Sequence, residues 1–395
     1  MRILIGHSYY AAPGGEDSVF ETETATLRKA GHDVVTYAVR TEHPRLEGMR
    51  DAVSRGARAL WSRQAHRAIA QIIDRERPTI AHFHNVFPNL SVAAFAACRS
   101  RAVPVVWTLH NYRLACAAGT FFRNNAACHL CLNWGPFPAA IYGCYHSSRV
   151  QSAWVSVIHW FLRKTGTLHS QVARFIALSD FSRREFLKVG IPHERMAVKP
   201  NHLAIEPQPR STIGAAFLYA GRLDRSKGVD VVIRALYSVP GGKLVVAGAG
   251  PHEGPLRELA APLGDRIKFV GHLSKEQLYA RLSVARALVL PTLLYENCPV
   301  SPIEAFAHGV PVLASNTGGI PELVHDGVNG RLAPPGDVAL WARVLLEMLE
   351  NDVHAASLGQ GARRSFEDRY SPPVGLQSLE RIYADVMRER STGVA

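Results

Sequence analysis

Residues 291–330 read PTLLYENCPVSPIEAFAHGVPVLASNTGGIPELVHDGVNG. Two carboxylates, Glu296 and Glu304, stand eight positions apart in it. Between them lies a short polar loop, Asn297-Cys298-Pro299. Just upstream, residues 287–291 (ALVLP) read as a short buried strand. Downstream, Ser301-Pro302-Ile303-Glu304 reads as a helix start: serine suits the N-cap, proline the first turn, and a glutamate three after the cap makes a capping box. Free N–H groups of a loop and a helix N-terminus favour a diphosphate. The flanking acids can each hold sugar hydroxyls, so the stretch suits a nucleotide sugar. The bland alternatives are a capping role for Glu304 and a solvated loop acid at Glu296. Pro299 has no N–H to offer. A Gly-Val-Pro-Val strand start and a Gly318-Gly319 turn follow.

Outward from this stretch, apolar strand-like runs alternate with amphipathic helical patterns. In the first half, strands are expected at 3–6, 34–37, 80–84, 103–109 and 174–178. Helices are expected at 17–29, 50–74, 90–101 and 181–189. A second series gives strands at 216–220, 243–247, 267–270, 287–290 and 310–314, with helices near 229–237, 254–261 and 274–282. Such alternation predicts an α/β protein with parallel sheets covered on both faces. Two series predict two Rossmann-like, doubly wound domains facing a central cleft, since ligands of open α/β sheets sit beyond the strand C-termini. The expected domains are 1–200 and 201–370, with a linker near 199–213. A final helix, 371–395, is expected to return to the first domain.

Three more loops stand where strands end. His7 closes the first strand and precedes Pro13-Gly14-Gly15-Glu16, where glycines let backbone approach a ligand. Gly221-Arg222-Leu223-Asp224-Arg225-Ser226-Lys227-Gly228 follows the first strand of the second half. Its Arg222 and Lys227 suit a diphosphate leaving group, against the alternative of solvated surface charges. Gly248-Ala249-Gly250 makes another glycine turn. Thr108-Leu109-His110-Asn111 ends a strand, with His110 at its mouth. His82 reads as packing, and His84-Asn85 as acceptor-side groups.

These elements together resemble the retaining family-4 glycosyltransferases of the GT-B fold. The carriers are the E-x7-E pair Glu296/Glu304, the G-R-x-x-x-x-K-G element at 221–228, the glycine loop at 14–15 and the histidine at 110. The resemblance implies that Glu296 contacts the donor sugar and Glu304 the nucleotide ribose. It implies that Asn297, Cys298 and Pro299 line the sugar and phosphate pocket. Gly14 and Gly15 would cover the donor phosphate, Gly248 would lie near the nucleotide, and His110 would touch the transferred sugar. Arg222 and Lys227 would stabilise the departing diphosphate, so that catalysis needs no metal cofactor. The transition state should resemble an oxocarbenium ion. Transfer of a hexose with retention is the implied reaction, and no side chain is cast as covalent nucleophile. No Gly-x-Ser-x-Gly, His-Glu-x-x-His or Walker loop occurs.

Composition bounds the rest. The chain has 395 residues, 47% apolar and 20% charged, which suits a globular protein with two cores. The net charge is +12, and residues 1–200 carry all of it: 25 Lys and Arg against 13 Asp and Glu, while residues 201–395 carry 20 and 20. No acid occurs from Arg77 through Ser179, a stretch holding Trp107, Trp134, Trp154 and Trp160. Basic residues with aromatics and no acids suit an anionic membrane surface or a polyanionic acceptor. The expected acceptor is a polyprenyl-diphosphate-linked or other glycan, and the donor is UDP- or GDP-linked. No helix-turn-helix or RNA-binding signature points to nucleic acid. No transmembrane run or signal peptide is read, so the expected place is cytoplasmic, peripheral at the inner face of the plasma membrane.

Cys116, Cys128, Cys131 and Cys144 follow His110 within an insert at 114–147. With one C-x2-C, a structural zinc competes with free thiols and disulfides. Two alternatives to glycosyl transfer to surface polysaccharide or glycolipid stand beside it. One is an epimerase or phosphorylase of the same fold. The other is a non-enzymatic zinc and polyanion-binding protein, which leaves the second half of the chain unexplained.

Overall fold

The computed structural model describes residues 1–10, 14–40, 58–206, 210 and 212–392. The expected helix at 50–74 lies outside the described residues up to 57, as do Pro13 and positions 207–209 and 211 of the expected linker. The chain divides into two compact units. The first comprises Met1–Phe121, Cys128–Asn201 and Pro372–Ala395; the second comprises Phe122–Ala127 and His202–Ser371.

The strands of the first unit are β1 (Arg2–Tyr9), β2 (Asp33–Arg40), β3 (Ile80–Phe83) and β4 (Val105–Leu109). In chain order the hairpin β5 (Phe122–Arg123) with β6 (Ala126–Ala127), which is assigned to the second unit, comes next, and β7 (Arg174–Ala177) and β8 (Met196–Val198) complete the first unit's strands. The sheet runs β2-β1-β3-β4-β7-β8, all parallel. Its register pairs Ile5 with Thr36 and His82, His82 with Val106, and Thr108 with Ile176. Every residue of β3 and β4 is buried. Strands covered on both faces read as continuous apolar runs, as IAHF and VVWTL do. The direction of winding reverses between β1 and β3. In open sheets that switch point is where ligands find a crevice beyond the strand ends.

The final helix, Pro372–Ser391, belongs to this unit. Its Leu379, Ile382, Tyr383 and Val386 are buried with Ile3, Ile5, Phe20, Leu27 and Ile80. Burying each such aliphatic side chain is worth about 1.5–3 kcal/mol, so the helix is an integral wall of this core.

The second unit holds β9 (Ala216–Ala220), β10 (Lys243–Ala247), β11 (Ile267–Gly271), β12 (Leu288–Leu290), β13 (Val312–Ser315) and β14 (Gly330–Ala333). Its order is β11-β10-β9-β12-β13-β14, all parallel. Counted within the unit this is 3-2-1-4-5-6, the Rossmann order, with its switch point between β9 and β12. One core joins Phe217, Val232, Leu236 and Val289 to Trp341 and Leu345 of the helix Val338–Glu350.

One local expectation fails. The helix holding Glu304 spans Val300–Ala307, with Pro299 rather than Ser301 before its first turn. Pro299 sits extended at φ −65°, ψ 142°, and no side chain caps the helix. The proline ring fixes φ, so the chain turns helical two residues earlier and the Ser301/Glu304 capping box does not form. Glu304 is thereby released for another partner.

Candidate functional site

The loops that follow β9 and β12 meet at the second unit's switch point. After β9, Asp224 accepts from Ser226 N at 3.0 Å and caps a short turn, Arg225–Lys227. After β12, Leu293 N donates to the Ser226 carbonyl at 2.8 Å, which ties the two loops together. Across this junction the Lys227 ammonium donates to Glu296 Oε1 at 2.6 Å. The pair is only 27% and 13% exposed at its side chains, so each charge needs the other.

The Gly318-Gly319 turn holds the Glu296 backbone. Gly319 N donates to the Glu296 carbonyl at 2.8 Å. Gly318 has φ +60°, and a Cβ there would stand 2.6 Å from that carbonyl oxygen. Only glycine fits. Gly248 answers to the same logic: at φ +134°, a Cβ would lie 1.9 Å from the Gly221 carbonyl oxygen. It allows the turn after β10 to pack on the loop that carries Arg222. Arg222 itself is exposed, and its carbonyl accepts from the Tyr219 hydroxyl at 2.8 Å.

Glu304 is buried and forms an ion pair with Lys275, at the start of the helix Lys275–Leu282. Lys275 was missed from sequence, because 29 residues separate the partners. Burial, then the Glu304 charge, pushes the Tyr279 hydroxyl upward. Asn297 and Cys298 are buried beside these groups, and Pro299 leads the helix. Of the groups expected to hold a donor, Lys227 and the 296–304 segment are thus brought together in one unit, with both acids held by lysines.

In the first unit, Gly14 stands before the helix Gly15–Lys29, and its N–H donates to Asp17 Oδ2 at 3.0 Å. A Cβ on Gly14 would meet nothing nearer than Glu16 Cγ at 3.8 Å, so packing does not demand glycine there. Asp17 also bonds His7 Nε2 at 2.8 Å. Burial, reinforced by the Asp17 charge and opposed by Arg113, pushes the Glu16 carboxyl up to about 7.

His110 follows β4 and stacks on His84, with ring centroids 5.2 Å apart and Nε2 2.9 Å from His84 Nδ1. His82 uses both ring nitrogens: Nδ1 with the Tyr383 hydroxyl at 2.7 Å and Nε2 with Thr108 Oγ1 at 2.8 Å. The packing role read for His82 therefore comes with a defined hydrogen-bond job. Burial pushes His82 down to about 3 and holds His84 and His110 well below the usual imidazole range; the Lys199 ammonium adds to all three. These imidazoles are neutral at neutral pH.

Among the described residues, the set of three potential metal ligands within 4.8 Å is Glu23, His82 and His84. A lysine already serves it: Lys199 Nζ lies 2.5 Å from Glu23 Oε1. The set is a buried ion pair among neutral imidazoles, which leaves no charge for a metal to neutralise.

His84 and His110 border a pocket walled by Trp107, Val155, Ile158 and Leu162. It lies wholly within the first unit. Its walls are mostly apolar.

None of the six cysteines is in a disulfide. Cys116 is buried; Cys128, Cys131 and Cys144 are half-buried. They share one neighbourhood, for burial, then the Cys116, Cys144 and Cys128 thiols, push Cys131 up to about 11. No three of their sulfurs come within 4.8 Å of one another.

The family described as glycosyl transferases group 1 matches residues 206–365, and the family described as Glycosyltransferase Family 4 matches residues 13–206. A GDP-mannose-dependent monoacylated alpha-(1-6)-phosphatidylinositol monomannoside mannosyltransferase of Corynebacterium glutamicum is 31% identical over 75% of this chain and 80% of its own. The amylovoran biosynthesis glycosyltransferase AmsK of Erwinia amylovora is 28% identical over 54% of this chain and 57% of its own, so the match spans little more than half of that relative. Among solved structures, Anabaena HepE in complex with UDP and glucose has a TM-score of 0.68 at 18% identity, over 98% of this chain and 100% of that one, a likeness of fold. The two matched families abut near residue 206, one on each parallel sheet, and the chain belongs to the group 1, family 4 glycosyltransferases of the GT-B fold.

Proposed function

We propose that this glycosyltransferase moves a hexose, with retention, from a UDP- or GDP-linked sugar to a lipid-linked or glycan acceptor in bacterial surface polysaccharide or glycolipid synthesis. The observation that carries the reading is the Lys227–Glu296 pair across the switch point of the second unit. A lysine held by a carboxylate is already in place to meet a diphosphate, and the carboxylate is in place for sugar hydroxyls. Glu304, held by Lys275, takes the ribose in this reading. Names of relatives lend support: one is GDP-mannose-dependent with a phosphatidylinositol-based acceptor, and one acts in amylovoran biosynthesis.

In the proposed step the acceptor hydroxyl bonds to the anomeric carbon as the bond from that carbon to the diphosphate oxygen breaks. The diphosphate leaves with the electron pair, on the face that the acceptor enters, and takes the acceptor's proton. Arg222, Lys227 and the N–H groups of the 296–300 segment stabilise the charge that develops on it. His110, neutral and fixed by His84, can offer a hydrogen bond to the sugar without adding charge. No resident metal is needed in this scheme.

Calorimetric titration of UDP, GDP and their sugars tests the reading, with Glu304→Ala alongside. Binding of one nucleotide, weakened in the variant, supports it. A folded protein that binds none of them removes it.

Within the same reading, Cys116, Cys128, Cys131 and Cys144 take a structural Zn2+, which would have to draw the sulfurs closer than they stand. The support is the shared neighbourhood of four reduced thiols. Metal analysis of the purified chain returning no zinc would falsify this part alone.

A further inference from the structure

The first unit exposes an apolar face out of keeping with the rest of the surface. Nine of the fifteen large apolar side chains that are exposed among the described residues fall between Trp134 and Phe161. Their centre is the helix Arg149–Lys164, where Val150, Trp154, Val157 and Phe161 follow one another at spacings of four, three and four. That spacing lines them along one side of a helix. Trp160 flanks the stripe at 44% exposure, and Trp134 and Ile141 extend the patch at 77% and 64%. Elsewhere the exposed apolar residues stand singly, as Tyr237, Val284 and Val353 do, which is ordinary.

Charge says what covers this face. Every charged side chain on the helix is a cation: Arg149, Arg163 and Lys164. From Pro78 through Ser179 there are eight Lys and Arg and no Asp or Glu. An apolar stripe with tryptophans, cationic ends and no acids is the pattern of a helix lying in the plane of an anionic bilayer. No helix among the described residues is long and apolar enough to cross one.

The opposite side of the same helix is buried. Val155, Ile158, His159 and Leu162 wall the pocket that His110 borders. A helix floating on lipid with one face would therefore hold that pocket beside the lipid with the other.

We propose that the helix Arg149–Lys164, with the adjoining Trp134–Tyr142 segment, seats the first unit on an anionic lipid bilayer. The surface is where a lipid-borne acceptor would be met, so the inference rests on, and deepens, the transferase reading.

The test is flotation of the full chain with vesicles of phosphatidylcholine alone or doped with phosphatidylglycerol, for wild type and for W154E/F161E. Thermal unfolding confirms that the variant is folded. Expected are at least about tenfold stronger partition onto the anionic vesicles and a loss of about tenfold or more in the variant. Equal partition of wild type and folded variant overturns the proposal, as does no binding of wild type to either vesicle. So does a wild-type dimer in sedimentation velocity that the variant abolishes while neither binds lipid; the face would then belong to a second copy. UDP- and GDP-sugar binding is measured in parallel. Its absence with vesicle binding intact defeats the transferase reading and leaves the surface standing.

Discussion

The two units build the same kind of parallel sheet and furnish their switch points in opposite ways. In the second unit the loops beyond β9 and β12 carry paired charges: Lys227 with Glu296, and Lys275 with Glu304. In the first unit the strand ends beyond β3 and β4 carry imidazoles that burial keeps uncharged, beside an apolar pocket. In the proposed reading, the difference lets one backbone device serve two chemistries. A diphosphate needs cations, and a lysine that waits near it must be held by an acid when the site is empty. An acceptor with an apolar part needs a dry wall and hydrogen-bonding groups that add no charge, which buried histidines supply. Overall charge is distributed in the same sense, balanced at 20 and 20 in residues 201–395 and acid-free from 78 to 179.

The largest effect should come from stripping the charged site of its cations. Arg222→Ala with Lys227→Ala should lower kcat by roughly 100-fold or more, about 2.7 kcal/mol of lost leaving-group stabilisation. Burst or single-turnover kinetics would place the loss on the chemical step rather than on donor binding. Wild-type turnover in the double variant would break the comparison at its stronger end, because the second unit's charges would then be structural only.

Much of the arrangement at the second unit's switch point was legible because its signals are local in sequence. Arg222 and Lys227 lie in one loop, and Glu296, Glu304 and Gly318-Gly319 lie within one strand–loop–helix–strand run. Glycines that must be glycine, such as Gly318, show in the sequence for the steric reason that the structure gives. What long-range packing decides was not legible. Tyr383 meets His82 across 301 residues, and no local pattern pairs Lys275 with Glu304. The capping box was misread because Pro299, two residues before Ser301, sets the helix start. Strands β8 and β14 went unnoticed as three- and four-residue edges. The helix Arg149–Lys164 was not read at all. It is apolar on its pocket side and on its exposed side, so the one-faced periodicity that usually reveals a helix is blurred. The four cysteines are close in sequence, yet their sulfurs are not gathered to metal distance, since spacing constrains side-chain positions far less than the fold around them does.

The smaller effects fall on the first unit and concern its stability against pH. Burial takes His82 from the ordinary 6.5 to about 3. Below 6.5 the unfolded chain accepts a proton that the folded chain refuses, so this group's contribution shrinks as pH falls from 6.5 towards 3. His82→Gln keeps an amide donor and acceptor within reach of Tyr383 and Thr108 but cannot titrate. Its urea midpoint should therefore fall less steeply with acid than that of wild type, by at most about 1.4 kcal/mol per pH unit for one proton. Glu16 works in the other direction. Its carboxyl is raised from 4.5 to about 7, so the folded chain keeps a proton that the unfolded chain releases. That contribution is complete below 4.5 and is lost as pH rises through about 7. Glu16→Gln should retain it, and the variant's stability should exceed that of wild type by a margin that grows from pH 5 to pH 8. Between 4.5 and 6.5 the two groups oppose each other in the wild type, which is why the single variants, rather than the parent's profile, separate them. If His82→Gln keeps the full acid slope of the parent, the imidazole is charged in the fold. The first unit's site would then not be the uncharged counterpart of the second's ion pairs.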